Sequence, residues 1–189
     1  MKVIDTNLAE VKIIEPKVFG DARGFFYEGF QDKRYCDVGI TAKFIQDNFS
    51  RSSCGVLRGL HYQLKYPQSK LVCVVRGEVF DVAVDIRVGS PTFGKWFGAI
   101  LNDTNHRQLY IPAGFAHGFC VLSEAVDFYY KCSEYYHPED ECGILWNDAS
   151  IGIEWPQLKT GSPLLSDKDM KNKLLNEVPH ELLPKFPGV

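Results

Sequence analysis

The sequence predicts an all-β fold, an antiparallel β-barrel of the jelly-roll kind. Short apolar runs of strand length recur between glycines, prolines and charged residues, a spacing typical of sandwiches and barrels. Aromatic residues make up 13% of the chain and there are ten prolines, which favours strands and turns over long helices. With 189 residues and no internal repeat or linker, the chain suits one domain over residues 1–189, with short terminal extensions.

The strand pattern is clearest in the middle of the chain. Residues 79–86 alternate, with apolar side chains on one face and Asp81 and Asp85 on the other. We interpret this second face as solvated, or as a structural pairing with Arg87 or Arg76, rather than as a pair of acid–base carboxylates. The predicted strands are residues 71–75, 79–86, 96–101, 109–111, 118–122 and 126–130.

Only two helical stretches are predicted. One spans residues 31 to about 38, and the other opens at residues 166–169, which resemble a capping box ahead of residues 170–175. The tail, residues 178–189, contains three prolines and is expected to wrap the surface in extended form. The few helices are therefore short and lie mainly near the C-terminus.

Charge and composition argue against several classes of function. The net charge is −3 and the pI about 5.9, so we expect no nucleic-acid partner. No apolar run approaches the roughly 18 residues of a membrane span. The N-terminal residues carry charges throughout, unlike a secretory signal, so we expect a cytoplasmic protein without a membrane partner. The six cysteines form no Cys-x-x-Cys pair, which predicts free thiols buried in strands.

Two segments carry the candidate chemistry. Residues 55–61 match the spacing G-x5-H, and residues 112–117 match P-x-G-x-x-H. Together they resemble the two halves of the cupin signature. In metal-binding cupins a second histidine and a glutamate follow the first half, but here Gln63 replaces that histidine and no glutamate occurs before Gly77. An amide is a poor substitute for imidazole, so the sequence predicts a cupin without a metal.

His61 then becomes a candidate base. A neutral histidine with a pKa near 6.5 accepts a proton at physiological pH. Arg58 lies three residues earlier, and a regular strand would put the two side chains on opposite faces, so we expect a local turn at Gly59. Cations around such a base suit an anionic, phosphorylated substrate, and the candidates are Arg23, Arg58, Lys65 and Lys70.

The chain resembles a known family from about residue 11 to residue 169. The matching blocks are residues 15–28, 46–48, 56–61, 70–72, 77–85, 90–94, 111–119, 130–131, 146–148, 151–156 and 165–169. In this order and number they are similar to the dTDP-4-dehydrorhamnose 3,5-epimerases of deoxysugar biosynthesis. The resemblance implies a dTDP-4-keto-6-deoxyhexose substrate. It also implies a homodimer in which N-terminal strands of one chain complete the partner's pocket.

The resemblance further implies a role for each site residue. His61 corresponds to the family's base and Asp169 to the carboxylate that orients it. Tyr130 corresponds to the phenol that returns a proton on the opposite face, and Lys70 stabilises charge on the ketone oxygen. No redox cofactor is implied, because inversion through an enolate transfers no net electrons. The substrate-contacting positions are Arg23, Glu28, Gln46, Asn48, Arg58, His117, Glu141 and Lys168.

Several of these residues have competing structural roles. Asp169 suits the acidic position of the predicted capping box equally well. Tyr130 could fill the core beside Tyr129, although alternation lets only one of the two point inward. Lys70 could be a solvated edge lysine. His117 suits a substrate contact, a second polar group or a relic of the metal site.

Other functions also remain open on the residues alone. Phe19, Phe25 and Phe26 suit either stacking on thymine or packing at a strand edge. A single-site epimerase on the same scaffold is the main alternative to inversion at both carbons, and retention of Tyr130 favours both. A metal-dependent cupin and a non-catalytic sugar-nucleotide binding module are the remaining alternatives.

Overall fold

Two antiparallel sheets and a separate hairpin make up the computed structural model, which describes residues 1–188. The strands, numbered in chain order, are β1 (Lys2–Asp5), β2 (Lys12–Glu15), β3 (Phe19–Asp21), β4 (Gly24–Phe26), β5 (Gln46–Ser53), β6 (Leu57–Gln63), β7 (Lys70–Arg76), β8 (Glu78–Asp85), β9 (Trp96–Asn102), β10 (Gln108–Ile111), β11 (Phe115–Val121), β12 (Ala125–Cys132) and β13 (Glu141–Gly143). The single α-helix is α1 (Asp32–Asp37). Short 3-10 turns occupy Pro138–Asp140, Asp169–Lys171, Leu175–Glu177 and His180–Leu182.

The two sheets have the crossed connectivity of a jelly roll. Six strands lie in the order β1-β2-β10-β7-β12-β5, and five in the order β13-β6-β11-β8-β9. Strands that follow one another in the chain therefore often lie in different sheets. The predicted all-β cupin fold is confirmed, as are the six predicted strands, which became β7 to β12.

Apolar side chains fill the space between the sheets and also cover the outer face of the five-stranded sheet. The inner core includes Val72, Leu109 and Phe128 from one sheet and Val79 and Phe119 from the other. On the outside, the C-terminal segment covers apolar residues of β8 and its neighbours. Burial of each large side chain contributes roughly 1.5–3 kcal/mol. Both faces of β8 are thus out of water.

This double coverage corrects one prediction about β8. Asp85 does pair with Arg87, at 2.8 Å, as one of the proposed alternatives had it. Asp81, however, is neither solvated nor paired with an arginine. It is fully buried inside the barrel, where its carboxylate lies 3.0 Å from His117 Nε2. The alternation alone did not reveal that the C-terminal segment takes the outer face and leaves the aspartates inside.

The predicted N-terminal helix is confirmed and the predicted C-terminal helix is wrong. Gln31 caps α1 by accepting a hydrogen bond from Arg34 N at 2.7 Å. Where the helix over residues 166–175 was predicted, the chain forms the single turn Asp169–Lys171 and then leaves the helical conformation at Asn172. Lys173 next pairs with Ile144, and its carbonyl accepts a hydrogen bond from Leu145 N at 2.8 Å. This pairing of Lys173 with Ile144 therefore ends the helical segment after one turn.

The expected irregularity at Gly59 is present as a bulge between β6 and β11. Phe119 is opposite Arg58 and His117 is opposite His61, so two residues of β6, Gly59 and Leu60, lie opposite Gly118 alone. The extra residue brings Arg58 and His61 to the same face. The backbones approach closely here, because a Cβ atom on Gly118 would lie 2.7 Å from the Arg58 carbonyl oxygen.

The cysteines, the length of the helices and the course of the tail were also predicted from the sequence. The six cysteines are free, and only two of them are fully buried. Among the residues described, no helix has the length and apolar character needed to cross a membrane. The tail wraps the barrel as expected, with Lys185 pairing against Val88, but it contains the turn His180–Leu182 rather than being extended throughout.

Gly118→Ala should lower the free energy of unfolding by about 1–3 kcal/mol, because the new methyl group overlaps a backbone oxygen. Urea denaturation measures the change. Gly29→Ala is the matched control, since its Cβ meets nothing closer than 3.8 Å. Equal stability of the two variants would show that the bulge tolerates the extra atom.

Candidate active site

A cavity of about 310 Å³ opens between the two sheets and is lined by residues from both. Strands β5, β7 and β12 form one wall, and β6 and β11 form the other. Most residues predicted for the site lie here. The lining contains the predicted residues Gln46, Asn48, Arg58, His61, Lys70, His117, Tyr130 and Glu141.

His61 is held by a carboxylate from the far end of the chain. Its Nε2 lies 2.5 Å from Asp169 Oδ1, and Asp169 is only 3% exposed. Burial raises the pKa of Asp169, but the hydrogen bond and charge of His61, together with hydrogen bonds from Ser166 and the Gly59 backbone, outweigh it and hold the pKa below its ordinary value. An ionised carboxylate accepts the Nε2 proton, so neutral His61 carries its lone pair on Nδ1.

Asp169 contacts both of its proposed partners, His61 and Ser166, through different groups. Its backbone N–H donates to Ser166 Oγ at 3.1 Å, so the serine half of the capping box is present. Its side chain meanwhile faces His61 rather than the start of the turn. The capping interaction therefore positions the backbone and leaves the carboxylate available.

Glu141 lies on the other side of the imidazole. Its Oε1 is 3.8 Å from His61 Nδ1, and its Oε2 pairs with Lys168 and accepts a hydrogen bond from Tyr136 Oη at 3.0 Å. Burial raises the pKa of Glu141, but Lys168 and His61 outweigh it, so the pKa lies below its usual range. Lys168 thus reaches the site through Glu141 at the cavity rim.

Tyr130 lies on the wall opposite His61. It belongs to β12 of the six-stranded sheet, whereas His61 belongs to β6 of the five-stranded sheet. Tyr129 points outward and donates to Asp47 at 2.9 Å, so Tyr130 is the inward tyrosine. Burial raises the pKa of Tyr130 to about 12, and the phenol stays protonated at neutral pH.

Lys70 is not a solvated edge lysine. It begins β7, which is flanked by β10 and β12, and its side chain lines the cavity. Burial lowers the pKa of its ammonium group. Among residues 1–188, the charges of neighbouring groups act on that ammonium group but no hydrogen bond does, so it is available to an oxyanion in the cavity.

His117 and Asp81 form a second buried imidazole–carboxylate pair, at 3.0 and 3.1 Å. His117 lies directly opposite His61 across the β6–β11 pairing and lines the cavity. Burial lowers the pKa of His117 and raises that of Asp81, so enclosure disfavours the charged form of each. Sequence periodicity gave no sign of this partner for His117.

Polar residues of β5 and β6 complete the lining. Gln46 donates to Asn48 Oδ1 at 3.0 Å, and both point inward from the edge strand β5. Asn48 is opposite Tyr130 in the β5–β12 pairing. Arg58 donates from Nε to Ser52 Oγ at 3.1 Å, which leaves the end of the guanidinium group for an anion.

Four predicted residues do not line this cavity: Asp169 and Lys168 reach it through His61 and Glu141, whereas Arg23 and Glu28 lie apart from it. Arg23 pairs with Asp21 on the β3–β4 hairpin, and Glu28 pairs with Arg34. Lys65, one of the cations grouped with His61 from the sequence, is exposed and does not line the cavity. The hairpin phenylalanines are not packed in a core, since Phe19, Phe25 and Phe26 are 54%, 62% and 69% exposed.

Gln63 and Tyr136 are lining residues that the sequence did not assign to the site. Gln63 Nε2 donates to the carbonyl oxygens of Tyr66 and Tyr135, and its Oε1 accepts from His137 N. The amide that replaces a cupin metal ligand is therefore occupied by backbone groups. In the described part of the chain, no three histidine, cysteine or acidic side chains gather to hold a metal ion. The donor set does not fit a cupin metal centre.

An imidazole held by a carboxylate, a protonated phenol on the facing wall and an ammonium group share one cavity. These groups, on this barrel, define an enzyme of cupin fold that works by general acid–base chemistry.

Comparison with known proteins gives the family. A sequence profile of the dTDP-4-dehydrorhamnose 3,5-epimerases matches residues 5–177. The chain belongs to this family and is an isomerase. A dTDP-4-dehydrorhamnose 3,5-epimerase from Shigella flexneri is 59% identical over 175 residues, which are 92% of this chain and 95% of the relative. One from Neisseria gonorrhoeae is 58% identical over 173 residues, 92% of this chain, and the chain spans 52% of that relative's length.

Solved structures share the whole fold. The dTDP-6-deoxy-D-glucose-3,5-epimerase RmlC from Legionella pneumophila, in complex with dTDP-4-keto-L-rhamnose, is 60% identical with a TM-score of 0.95, covering 98% of each chain. ChmJ, a 3'-monoepimerase from Streptomyces bikiniensis in complex with dTDP-quinovose, is 33% identical with a TM-score of 0.89, covering 96% of this chain and 92% of ChmJ. The same barrel is therefore found with single and double epimerisation.

Lys70→Met should raise the free energy of unfolding at pH 7 by about 0.5–2 kcal/mol, because it removes an ammonium group that burial disfavours. Folding lowers the pKa of Lys70, so between the folded pKa and 10.5 the unfolded chain binds more protons. The wild type therefore gains stability as pH rises. The difference in the free energy of unfolding between Lys70→Met and the wild type should narrow towards pH 10.5.

Urea denaturation at several pH values measures that difference. Lys65→Met, a change of an exposed lysine outside the cavity, should stay within about 0.5 kcal/mol of wild type. A Lys70→Met protein that is less stable at pH 7, or a difference that does not change with pH, would contradict the prediction.

Proposed function

We propose that the protein inverts carbons 3 and 5 of dTDP-4-dehydro-6-deoxy-D-glucose and so forms dTDP-4-dehydro-L-rhamnose. The observation that carries the proposal is the oriented pair His61–Asp169 on one wall of a cavity whose opposite wall holds Tyr130. Inversion requires a base on one face of the sugar and an acid on the other. No metal or redox cofactor takes part in this scheme.

The first step is removal of a proton next to the ketone. His61 takes it on Nδ1, because Asp169 occupies Nε2, and the carboxylate stabilises the imidazolium that forms. The electrons of the broken C–H bond move into an enolate, whose oxygen lies against the ammonium group of Lys70. Fixing these groups before the reaction lowers the barrier, since they need not reorganise as the charge forms.

The second step returns a proton from the opposite face. Tyr130 donates it to carbon, which it can do because its pKa of about 12 keeps the phenol protonated at neutral pH. Before the next inversion the imidazolium of His61 releases its proton to solvent and the tyrosinate takes one up. The same pair of walls serves both carbons, since each of them flanks the ketone.

The remaining lining residues suit the carrier of the sugar. Arg58 offers a fork of donors to a diphosphate, and Gln46, Asn48 and His117 add neutral hydrogen-bonding groups. Glu141, tied to Lys168, borders the sugar end of the cavity near His61. These assignments explain why a cavity with a buried lysine and an arginine accepts an anionic substrate.

Arg23 and Glu28 fit the proposal through a homodimer. The β3–β4 hairpin that carries Arg23 exposes three phenylalanines instead of packing on its own barrel. A partner chain would bury this apolar surface and receive Arg23 at its pocket, where the phenylalanines can stack on thymine. The free cysteines support a reducing compartment, and we place the enzyme in the cytoplasm.

Incubation with the 4-keto sugar nucleotide in heavy water should place deuterium at both carbons 3 and 5, because the returned protons come from groups that exchange with solvent. Mass spectrometry counts the deuterons and NMR assigns them. Deuterium at carbon 3 or 5 alone would favour the second candidate, a single-site epimerase, for which the likeness to ChmJ is the specific observation. Exchange at neither position would overturn the enzyme assignment.

Variants of the site separate the two steps. Asp169→Asn should slow exchange at both carbons by about 10²–10⁴-fold, since His61 loses its orienting charge. Tyr130→Phe should leave exchange by His61 possible while blocking return of a proton from the opposite wall. Tyr129→Phe, an adjacent phenol that points outward, is the matched control and should keep wild-type rates.

The shared pocket predicts complementation between two inactive variants. Arg23→Ala and His61→Ala should each abolish most activity alone, whereas co-expression should restore about a quarter of the wild-type activity through mixed dimers with one complete pocket. Light scattering measures the dimer mass. A monomer mass, or mixed dimers without activity, would contradict a pocket shared between chains.

A further inference from the structure

Gln63 ties together two loops at the rim of the cavity. Its side chain is 6% exposed and makes three hydrogen bonds, all to backbone groups. Nε2 donates to the carbonyl oxygens of Tyr66 at 2.7 Å and Tyr135 at 3.2 Å, and Oε1 accepts from His137 N at 2.9 Å. Tyr66 belongs to the β6–β7 loop, and the other two belong to the segment between β12 and β13.

Other contacts also join the two loops, but Gln63 forms hydrogen bonds to both neighbours of Tyr136. Asp140 accepts hydrogen bonds from Lys65 N and Tyr66 N, and the rings of Tyr66 and His137 stack at 3.9 Å. On the other side of Tyr136, Gln68 Nε2 donates to Glu134 O at 2.9 Å, and Ser69 N donates to Ser133 Oγ at 2.8 Å. The bonds from Gln63 reach the residues directly before and after Tyr136, and so fix its backbone on both sides.

We call Gln63 and its three hydrogen bonds the Gln63 clamp. Tyr136 connects this clamp to the site. It lines the cavity, its N–H donates to Gln46 Oε1 at 3.0 Å, and its Oη donates to Glu141 Oε2 at 3.0 Å. The side chain is half exposed, so its ring forms part of the rim and presents an apolar surface to a bound molecule. A shift of this backbone would move the ring away from the rim and disturb Gln46.

We propose that Gln63 is a positioning residue that acts through Tyr136 on the binding of the sugar nucleotide. The inference rests on the proposed function for the identity of that ligand. An amide suits this position because it offers two N–H donors and an acceptor together. A carboxylate has no donor for the two carbonyl oxygens, and an imidazole cannot serve three backbone groups. The position equivalent to a cupin metal ligand here shapes the entrance instead.

Gln63→Met tests this with a side chain of similar length and no donors. We expect KM for the sugar nucleotide to rise about tenfold, which corresponds to the loss of about 1.4 kcal/mol of binding. We expect kcat to change by less than about threefold, because His61, Asp169 and Tyr130 keep their places. Gln108→Met is the matched control.

Gln108 is also a buried glutamine clamp, with hydrogen bonds to Tyr35 Oη and Gly29 O at 2.6 Å each, but it does not line this cavity. Its replacement costs stability and should leave KM unchanged. A rise in KM common to both variants would assign the Gln63 effect to general destabilisation and overturn the proposal. If Gln63→Met fails to fold, Gln63→Glu serves as the second variant, since it keeps the size and loses the donors.

A double-mutant cycle with Tyr136→Ala gives the decisive readout. If Gln63 acts through Tyr136, the variant with both changes should have the same KM as Tyr136→Ala alone. Multiplied effects, or an unchanged KM in folded Gln63→Met, would overturn the proposal. Calorimetric affinity for dTDP provides the same comparison without turnover. An inactive wild type that binds dTDP would count against the proposed function while leaving the clamp open to this test.

Discussion

The hydrogen bond between His61 and Asp169 is the contact on which the rest of the structure depends. The two residues are 108 positions apart in the chain, and a distance of 2.5 Å requires the C-terminal segment to return to the barrel with little freedom. Packing of that segment over the outer face of the five-stranded sheet, with Ile151, Leu175 and Leu183 buried, provides the required constraint. A cover that looks purely structural therefore sets the geometry of the base.

The cavity also shows how one environment adjusts several ionisable groups in different ways. Burial raises the pKa of Tyr130 and lowers that of Lys70, whereas hydrogen bonding keeps Asp169 ionised despite its burial. The phenol therefore remains a donor and the carboxylate remains an acceptor at the same pH. The phenol and the carboxylate lie in the same barrel, so their different roles arise from the different hydrogen-bond partners of each group.

Local sequence patterns predicted those parts of the molecule that depend on near neighbours. Alternation gave the strands β7 to β12, and the helical stretch predicted from residue 31 to about 38 became the only α-helix among residues 1–188. The spacing of His61 and His117 placed both at the same cavity. The family resemblance, rather than any pattern, supplied Asp169 as a partner, because no local rule relates residues so far apart.

Predictions failed where a distant segment decides the outcome. The turn at Asp169 stays short because Lys173 pairs with Ile144, and Asp81 is interior because a remote segment covers the opposite face. Gln63 looked like the loss of a metal ligand, and only the folded chain reveals the backbone groups that it holds. Arg23 and Glu28 lie outside the cavity of their own chain, and their place in a partner's pocket stays a prediction.

The position of the Asp169 turn has a consequence for biosynthesis of the protein. Every strand of the barrel, from β1 to β13, precedes this turn in the chain. During translation the strands emerge from the ribosome first, and the carboxylate that orients the base emerges after them. A nascent or C-terminally truncated chain that lacks the segment after Gly143 has a histidine without an oriented lone pair. The pair of His61 and Asp169 proposed for proton transfer is thus completed only after every strand of the barrel has been synthesised.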